Sequence, residues 1–233
     1  MKIELCIRRR LVSRDREFAL DVTLDTDTRR VALFGPSGAG KTLTIQAVAG
    51  LMRPDQGRIA INGRVLFDSE KQIDVAPAAR KVAYLFQDYG LFPHLTVLQN
   101  ICFGLKKGWR NPGRRDIPEA ARRWIDTFEL EAIIHSLPAE ISGGQKQRVA
   151  LARALAVEPD ILLLDEPLAA LHAALRKKLR MELAALQQRL EIPMIVITHD
   201  PADVLELADE VYEIGDGVIT GSASPRELFA RGD

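Results

Sequence analysis

Only two cysteines, Cys6 and Cys102, occur in 233 residues, and they stand far apart. That excludes a disulfide framework and a thiolate-rich zinc site, and it fits a reducing compartment. No apolar run approaches the ~18 residues of a membrane-crossing helix, so any membrane role falls to a partner. The opening MKIELCIRRRL has a charged end with no apolar stretch behind it, and no signal peptide is expected. Charge of one sign is missing too: 32 basic residues balance 32 acidic ones. This removes the global field that draws a protein to nucleic acid or anionic lipid. Internal repeats and low-complexity tracts are absent. What remains is ordinary globular composition, 47% hydrophobic and 27% charged. It is enough to bury a core unaided, as one large domain or one domain with an insert.

Along the chain, LDVTLDTDT and RRVALFG read as strands, the second running straight into GPSGAGKT. TLTIQAVAGLM reads as a helix with Gly50 near its end. GRIAINGRVLF alternates apolar and polar residues around Asn62-Gly63, a hairpin signal. KVAYLF is a buried strand ending at Gln87. From Leu95 to Leu155 the pattern turns mostly helical and polar. Inside it, Lys106 to Arg123 holds seven basic and two acidic residues, either a phosphate or headgroup contact or a solvated loop and helix face. DILLLDEP and PMIVITHD are apolar runs of the kind found in central parallel strands, with the amphipathic ALRKKLRMELAALQQRL between them. DEVYEIGDGVITGSASP gives two short strands around Asp216-Gly217. Strands alternating with helices predict an α/β fold with a mostly parallel sheet.

Gly35, Pro36, Ser37, Gly38, Ala39, Gly40, Lys41 and Thr42 fit the phosphate-loop pattern G-x-x-x-x-G-K-[ST], between a strand and a helix as it requires. Glycines let successive backbone N–H groups turn toward an anion, and the helix start adds its positive dipole end. Lys41 supplies a charge for the β- and γ-phosphates, and the Thr42 hydroxyl is a Mg²⁺ ligand. Asp165 and Glu166 close ILLLDE at the carboxyl end of a strand, where ligands bind in open α/β sheets. Strand alternation sends them to opposite sides. Asp165 is then the Mg²⁺ partner, and Glu166 the base that activates a water. Ser142, Gly143, Gly144 and Gln145 open the helix QRVALARALA, with Ser142 as its N-cap. This is a second glycine-lined helix start, so the site is expected to be completed by two subunits. His199, at the end of PMIVIT, is placed to meet a γ-phosphate or the attacking water. Gln87 ends a strand in the same way.

Taken in order, these motifs resemble the ATP-binding subunits of ABC transporters, over Val31 to Ala230. GPSGAGKT resembles the Walker A loop, and Gln87 in LFQD the Q-loop. ISGGQ resembles the signature motif, with Ile141 for the usual Leu. ILLLDEP resembles Walker B with its following Glu, and His199 the switch histidine. The resemblance implies the ABC ATPase fold: a P-loop NTPase core over residues 1–88 and 158–233 with an antiparallel β subdomain, and an inserted helical subdomain over 89–157. It implies ATP and Mg²⁺ as cofactors, with Lys41, Glu166, His199 and Gln87 in catalysis and Thr42, Gln87 and Asp165 on the metal. It further implies a head-to-tail homodimer sandwiching two ATP molecules, coupled to membrane permease subunits at the cytoplasmic face of the plasma membrane. An extracytoplasmic solute-binding protein would act indirectly, and no nucleic acid is involved. DYGLFPHLTVLQNICFG is the expected permease contact, or ordinary core of its subdomain. The segments around Gln87 are most similar to molybdate importer subunits and close to those for sulfate, iron or polyamines. A soluble ATP-dependent switch acting on nucleic acid is the alternative of another class. The sequence ends 34 residues after His199, so no C-terminal regulatory domain is expected.

Two positions depart from the family pattern. The usual aromatic residue for adenine is represented in RRRLVSRDREFAL only by Phe18, with Arg14 or Arg16 as alternatives. His172 stands in LAALHAAL where the family usually has an Asp that joins the two subunits. An imidazole does not supply that acceptor-only carboxylate, so closure is weakened unless the backbone turn does most of the joining. His172→Asp is therefore expected to increase MgATP-driven dimerisation measured by solution mass, and an unchanged dimer fraction would show that the position is tolerant.

Overall fold

A computed structural model describes residues 2–13, 16–105, 117–169, 173–189 and 192–230. Arg14, His172 and most of the basic stretch, 106–116, lie outside the described residues. Two long antiparallel strands, β1 (Ile3–Ser13) and β2 (Arg16–Thr26), open the chain. Then come β3 (Arg30–Phe34), α1 (Lys41–Ala49), β4 (Gln56–Ile61), β5 (Arg64–Asp68), β6 (Ile73–Asp74) and β7 (Val82–Leu85). Helices α2 (Val97–Cys102), α3 (Glu119–Thr127) and α4 (Gly143–Ala156) follow. The chain re-enters the sheet through β8 (Ile161–Asp165), α5 (Ala173–Arg189), β9 (Met194–Thr198) and α6 (Pro201–Leu207). It finishes with β10 (Glu210–Gly215), β11 (Val218–Ala223) and α7 (Pro225–Ala230).

Among the described residues, eleven strands form one sheet in the order β6-β5-β4-β1-β2-β11-β10-β3-β9-β8-β7. The block β10-β3-β9-β8-β7 is parallel throughout, and the block from β6 to β2 is antiparallel. The expected α/β core with its antiparallel β region is thus realised as a single continuous sheet. The Asn62-Gly63 hairpin forms as expected, with φ of 51° and 78° at its two central residues. Two positive φ values match the twist of antiparallel strands. Strand β1 was not read from the sequence, although Ile3, Leu5 and Ile7 point into the core in strict alternation.

Period-two alternation divides the core into two sides. Val31, Leu33, Leu163, Ile195 and Ile197 bury against α1 and the antiparallel strands. Ala32, Leu162, Leu164, Met194 and Val196 bury against α2, α3, α4, α5 and α6. Adjacent strand residues face opposite sides of a sheet. Helix α1 and helix α4 therefore lie on opposite faces.

The C-terminal end of α1 is fastened by a buried charge. Gly50 caps it at φ 79°. The Arg80 guanidinium, 1% exposed, donates to Ala47 O at 2.7 Å, Val48 O at 2.9 Å, Val75 O at 2.7 Å and Asp74 Oδ1 at 3.0 Å. A cation there also complements the negative end of the helix dipole. A side chain at Gly50 would put its Cβ 2.6 Å from Arg80 Nε. Arg80→Met, which removes the guanidinium donors from these carbonyls and leaves Asp74 without its buried partner, is expected to lower stability by about 3 kcal/mol in urea unfolding.

Candidate nucleotide site

Strand β3 delivers the backbone to Gly35 at the carboxyl end of the sheet, and α1 begins at Lys41. The turn between them needs its glycines. A Cβ on Gly35 would lie 2.1 Å from the Ile214 carbonyl oxygen of β10, and one on Gly40 2.7 Å from Leu20 Cδ1. Gly38 and Gly40 also sit at φ 83° and 102°, where a side chain is strained. The tip of the β10–β11 hairpin holds the loop from the side, Gly217 N–H donating to Ala39 O at 3.0 Å.

Lys41 is buried at the helix start, and its Nζ donates to Gly35 O and Pro36 O, both at 2.7 Å. Burial pulls its pKa down, opposed by the charges of Glu166 and Asp165. Asp165, the last residue of β8, faces the α1 side. Its Oδ1 accepts from Thr42 Oγ1 at 3.2 Å, and its Oδ2 accepts from Tyr84 OH at 2.7 Å. Burial and the neighbouring carboxylate push the Tyr84 phenol upward, so it stays a donor. Glu166 does not continue the strand alternation. Its φ is 44°, a left-handed turn that swings the side chain into the cavity of about 330 Å³ lined by Ser37, Gly38, Gly40, Lys41 and Thr42. The two carboxylates are separated by this backbone turn rather than by opposite strand faces.

His199 follows β9 directly, and Asp200 then caps α6 by accepting from Ala202 N at 2.9 Å. The imidazole Nδ1 lies 3.2 Å from Glu166 Oε1. With Glu166 ionised, Nδ1–H donates, and a neutral ring presents Nε2 as an acceptor. The ring is 56% exposed and the carboxylate 18%, so the pair opens toward a ligand from the histidine side. His199 also borders a second cavity of about 400 Å³ with Gly35, Pro36 and Glu213.

Other expected residues stand apart. Gln87 lies two residues beyond β7, exposed, with no hydrogen bond to Thr42 or Asp165. Ser142 caps α4 as expected: its Oγ accepts from Gln145 N at 3.3 Å, and Gln145 Oε1 accepts from Ser142 N at 2.8 Å. Gly143 is exposed, whereas Gly144 is buried against Leu175 and Leu179 of α5. Because α4 and α1 occupy opposite faces, these residues make no hydrogen bond with the phosphate loop of their own chain. Phe18 lines the cavity beside Gly40 and Thr42 with Leu11, its partner across β1 and β2.

The hydroxyl and carboxylate oxygens of Thr42 and Asp165 form a hard-donor pair of the kind Mg²⁺ takes alongside substrate phosphates. Among the described residues, no group of three His, Cys, Asp or Glu side chains is placed to cage a metal by itself. Among them also, no helix is long and apolar enough to cross a membrane.

The ABC transporter profile matches residues 20–169, spanning the phosphate loop, Gln87, Ser142–Gln145 and Glu166. The chain belongs to the ABC transporter family. Within it, the chain is 46% identical over 205 residues to the molybdenum import ATP-binding protein ModC of Rhodospirillum rubrum, covering 87% of this chain and 54% of that one. It is 44% identical over 200 residues to the Fe(3+) ions import ATP-binding protein FbpC of Rhizobium etli, covering 85% and 54%. The chain thus spans about half the length of these curated relatives. Its fold is similar to a dimeric ATP-binding cassette, MJ0796, bound to ADP and Pi in a post-hydrolysis state. The TM-score is 0.76 at 26% identity, over 97% of this chain and 99% of that one.

Tyr84 is the site residue that sequence reading of this ABC chain missed. In KVAYLF it reads as one more apolar strand position, and only the register with β8 reveals its hydroxyl on Asp165. The left-handed backbone at Glu166 has a measurable signature. A non-glycine residue there carries about 1–2 kcal/mol of strain, so Glu166→Gly is expected to be more stable than Glu166→Ala by about 1 kcal/mol in thermal melts.

Proposed function

We propose that this chain is the ATP-hydrolysing subunit of an importer, powering passage of an oxyanion such as molybdate through membrane permease subunits. The observation that carries the reading is the Glu166 carboxylate, paired with His199 at 3.2 Å and facing the cavity formed by the Lys41-bearing loop. On this reading, the backbone N–H groups of the loop and the start of α1 bind the β- and γ-phosphates. Lys41 exchanges its two loop carbonyls for phosphate oxygens. Thr42 and Asp165 would hold Mg²⁺, with Gln87 entering from β7. The ion, when bound, neutralises phosphate charge and orients the group to be transferred. Glu166 accepts the proton of the attacking water. His199 steadies that water through Nε2, or the γ-phosphate when it is an imidazolium.

The site is completed by Ser142 to Gln145 of the partner subunit in a head-to-tail homodimer. What supports this is the placement of α1 and α4 on opposite sheet faces, together with the dimeric MJ0796 cassette. We place the dimer at the cytoplasmic face of the plasma membrane, peripheral, with permease subunits as direct partners and an extracytoplasmic solute-binding protein as an indirect one. Residues 1–88 and 158–233 serve as the nucleotide-binding core, and 89–157 as the permease-facing helical subdomain. Balanced charge argues against a nucleic-acid partner. Molybdate is favoured by the ModC relative, and iron is the second reading because the FbpC relative is 44% identical. ATPase stimulation of the assembled transporter by molybdate-loaded or iron-loaded binding protein separates the two.

Glu166→Gln tests the mechanism. Phosphate release is expected to fall by about 10²–10⁴-fold, the usual contribution of a general base. The solution mass should double with MgATP but not with MgADP. Hydrolysis at the native rate would refute the role of Glu166, and a monomer under all conditions would point to the His172 departure or to a need for the permease, which His172→Asp in the same assay tells apart.

A further inference from the structure

Tyr84 is half-buried on β7 and is used by none of the motifs above. Strand β7 pairs with β8 in parallel, Tyr84 opposite Leu163. Asp165 is therefore the diagonal neighbour two residues on, on the same face, within reach of an aromatic side chain. The phenol reaches it: Tyr84 OH donates to Asp165 Oδ2 at 2.7 Å. Gln46 approaches the same hydroxyl from α1. It lies one helical turn after Thr42, so both occupy one stripe of that helix. The Tyr84 ring is set by Phe86, with centroids 4.4 Å apart. Helix α1, which carries Thr42, strand β8, which carries Asp165, and strand β7 thus meet around one hydroxyl.

The two oxygens of Asp165 are held unequally. Oδ2 takes the short bond from Tyr84, and Oδ1 takes only a 3.2 Å contact from Thr42. An ionised carboxylate has about four lone-pair sites, so Oδ1 keeps acceptor capacity on the side of Thr42. The terminal torsion of an aspartate is broad and two-fold. Without an anchor on Oδ2, the group would rotate and present neither oxygen steadily.

We infer that Tyr84 is a positioning residue, its hydroxyl locking the Asp165 carboxylate so that Oδ1 faces Thr42 and thereby setting the affinity for a divalent cation. This inference rests on the nucleotide-site reading above. Hydrogen-bond partners behind a metal ligand are typically worth about 10–100-fold in metal affinity.

The test is Mn²⁺ binding to the full chain with a non-hydrolysable ATP analogue, read from the free Mn²⁺ signal by electron paramagnetic resonance. Nucleotide affinity is measured separately in EDTA. Tyr84→Phe keeps the ring and removes the hydroxyl. It is expected to weaken Mn²⁺ binding about tenfold or more, with the EDTA affinity and the melting temperature near native. Tyr84→Leu removes the ring as well. Native Mn²⁺ affinity in Tyr84→Phe, with or without a defect in Tyr84→Leu, overturns the inference and assigns Tyr84 to packing against Phe86. Nucleotide-dependent Mn²⁺ binding missing from the unmodified chain would overturn the nucleotide-site reading together with it.

Discussion

Backbone approaching backbone more closely than a methyl group permits is the constraint on which the carboxyl end of this sheet is built. A Cβ on Gly35 would lie 2.1 Å from the Ile214 carbonyl oxygen, and one on Gly217 would lie 1.9 Å from that of Ala19. The first contact presses the phosphate loop against β10, and the second seats the tip of the β10–β11 hairpin, which bonds the loop at Ala39, against β2. Loop position is therefore dictated by the sheet, not by side chains that can adjust. Lys41, Thr42 and the α1 axis inherit it, and through Thr42 so does Asp165. A single β-carbon at either glycine would displace the whole chain of contacts.

The two faces of the sheet then divide the work. One presents α1 and the oxygen donors Thr42, Asp165 and Tyr84. The other presents α4 with its capped, glycine-lined start. A sheet is not permeable to a ligand, so on the proposed reading one copy of the chain offers each half of the site to a different surface. The second copy we propose follows from this topology before any interface is considered. It agrees with family membership and with the dimeric cassette of similar fold.

What was legible in the sequence was local. The loop pattern, the Asn62-Gly63 turn and the Ser142 N-cap each depend on residues within a few positions of one another, and each forms as read. What was not legible depends on pairing over distance. Strand β1 alternates cleanly at Ile3, Leu5 and Ile7, but the following arginines and exposed Val12 dilute the pattern. Glu166 was expected to obey strand alternation. Its left-handed backbone, which no propensity for Glu predicts, placed it instead. Tyr84 became a partner of Asp165 only through the register of β7 on β8.

The clamp on α1 carries a mechanical meaning. A nine-residue helix is a rod of about 14 Å, and its two ends are fixed by different materials. Glycine-tight backbone grips the loop end, and Arg80 holds the other by two of its carbonyls, Ala47 O and Val48 O. Sliding along its axis would break the bonds of Arg80, which is buried from water. The same bonds join α1 to the Asp74–Arg80 connection, so a shift of the helix would be felt there. That connection leads directly into β7, the strand that Gln87 follows by two residues. The helix acts less as a wall of the site than as a strut between its two ends.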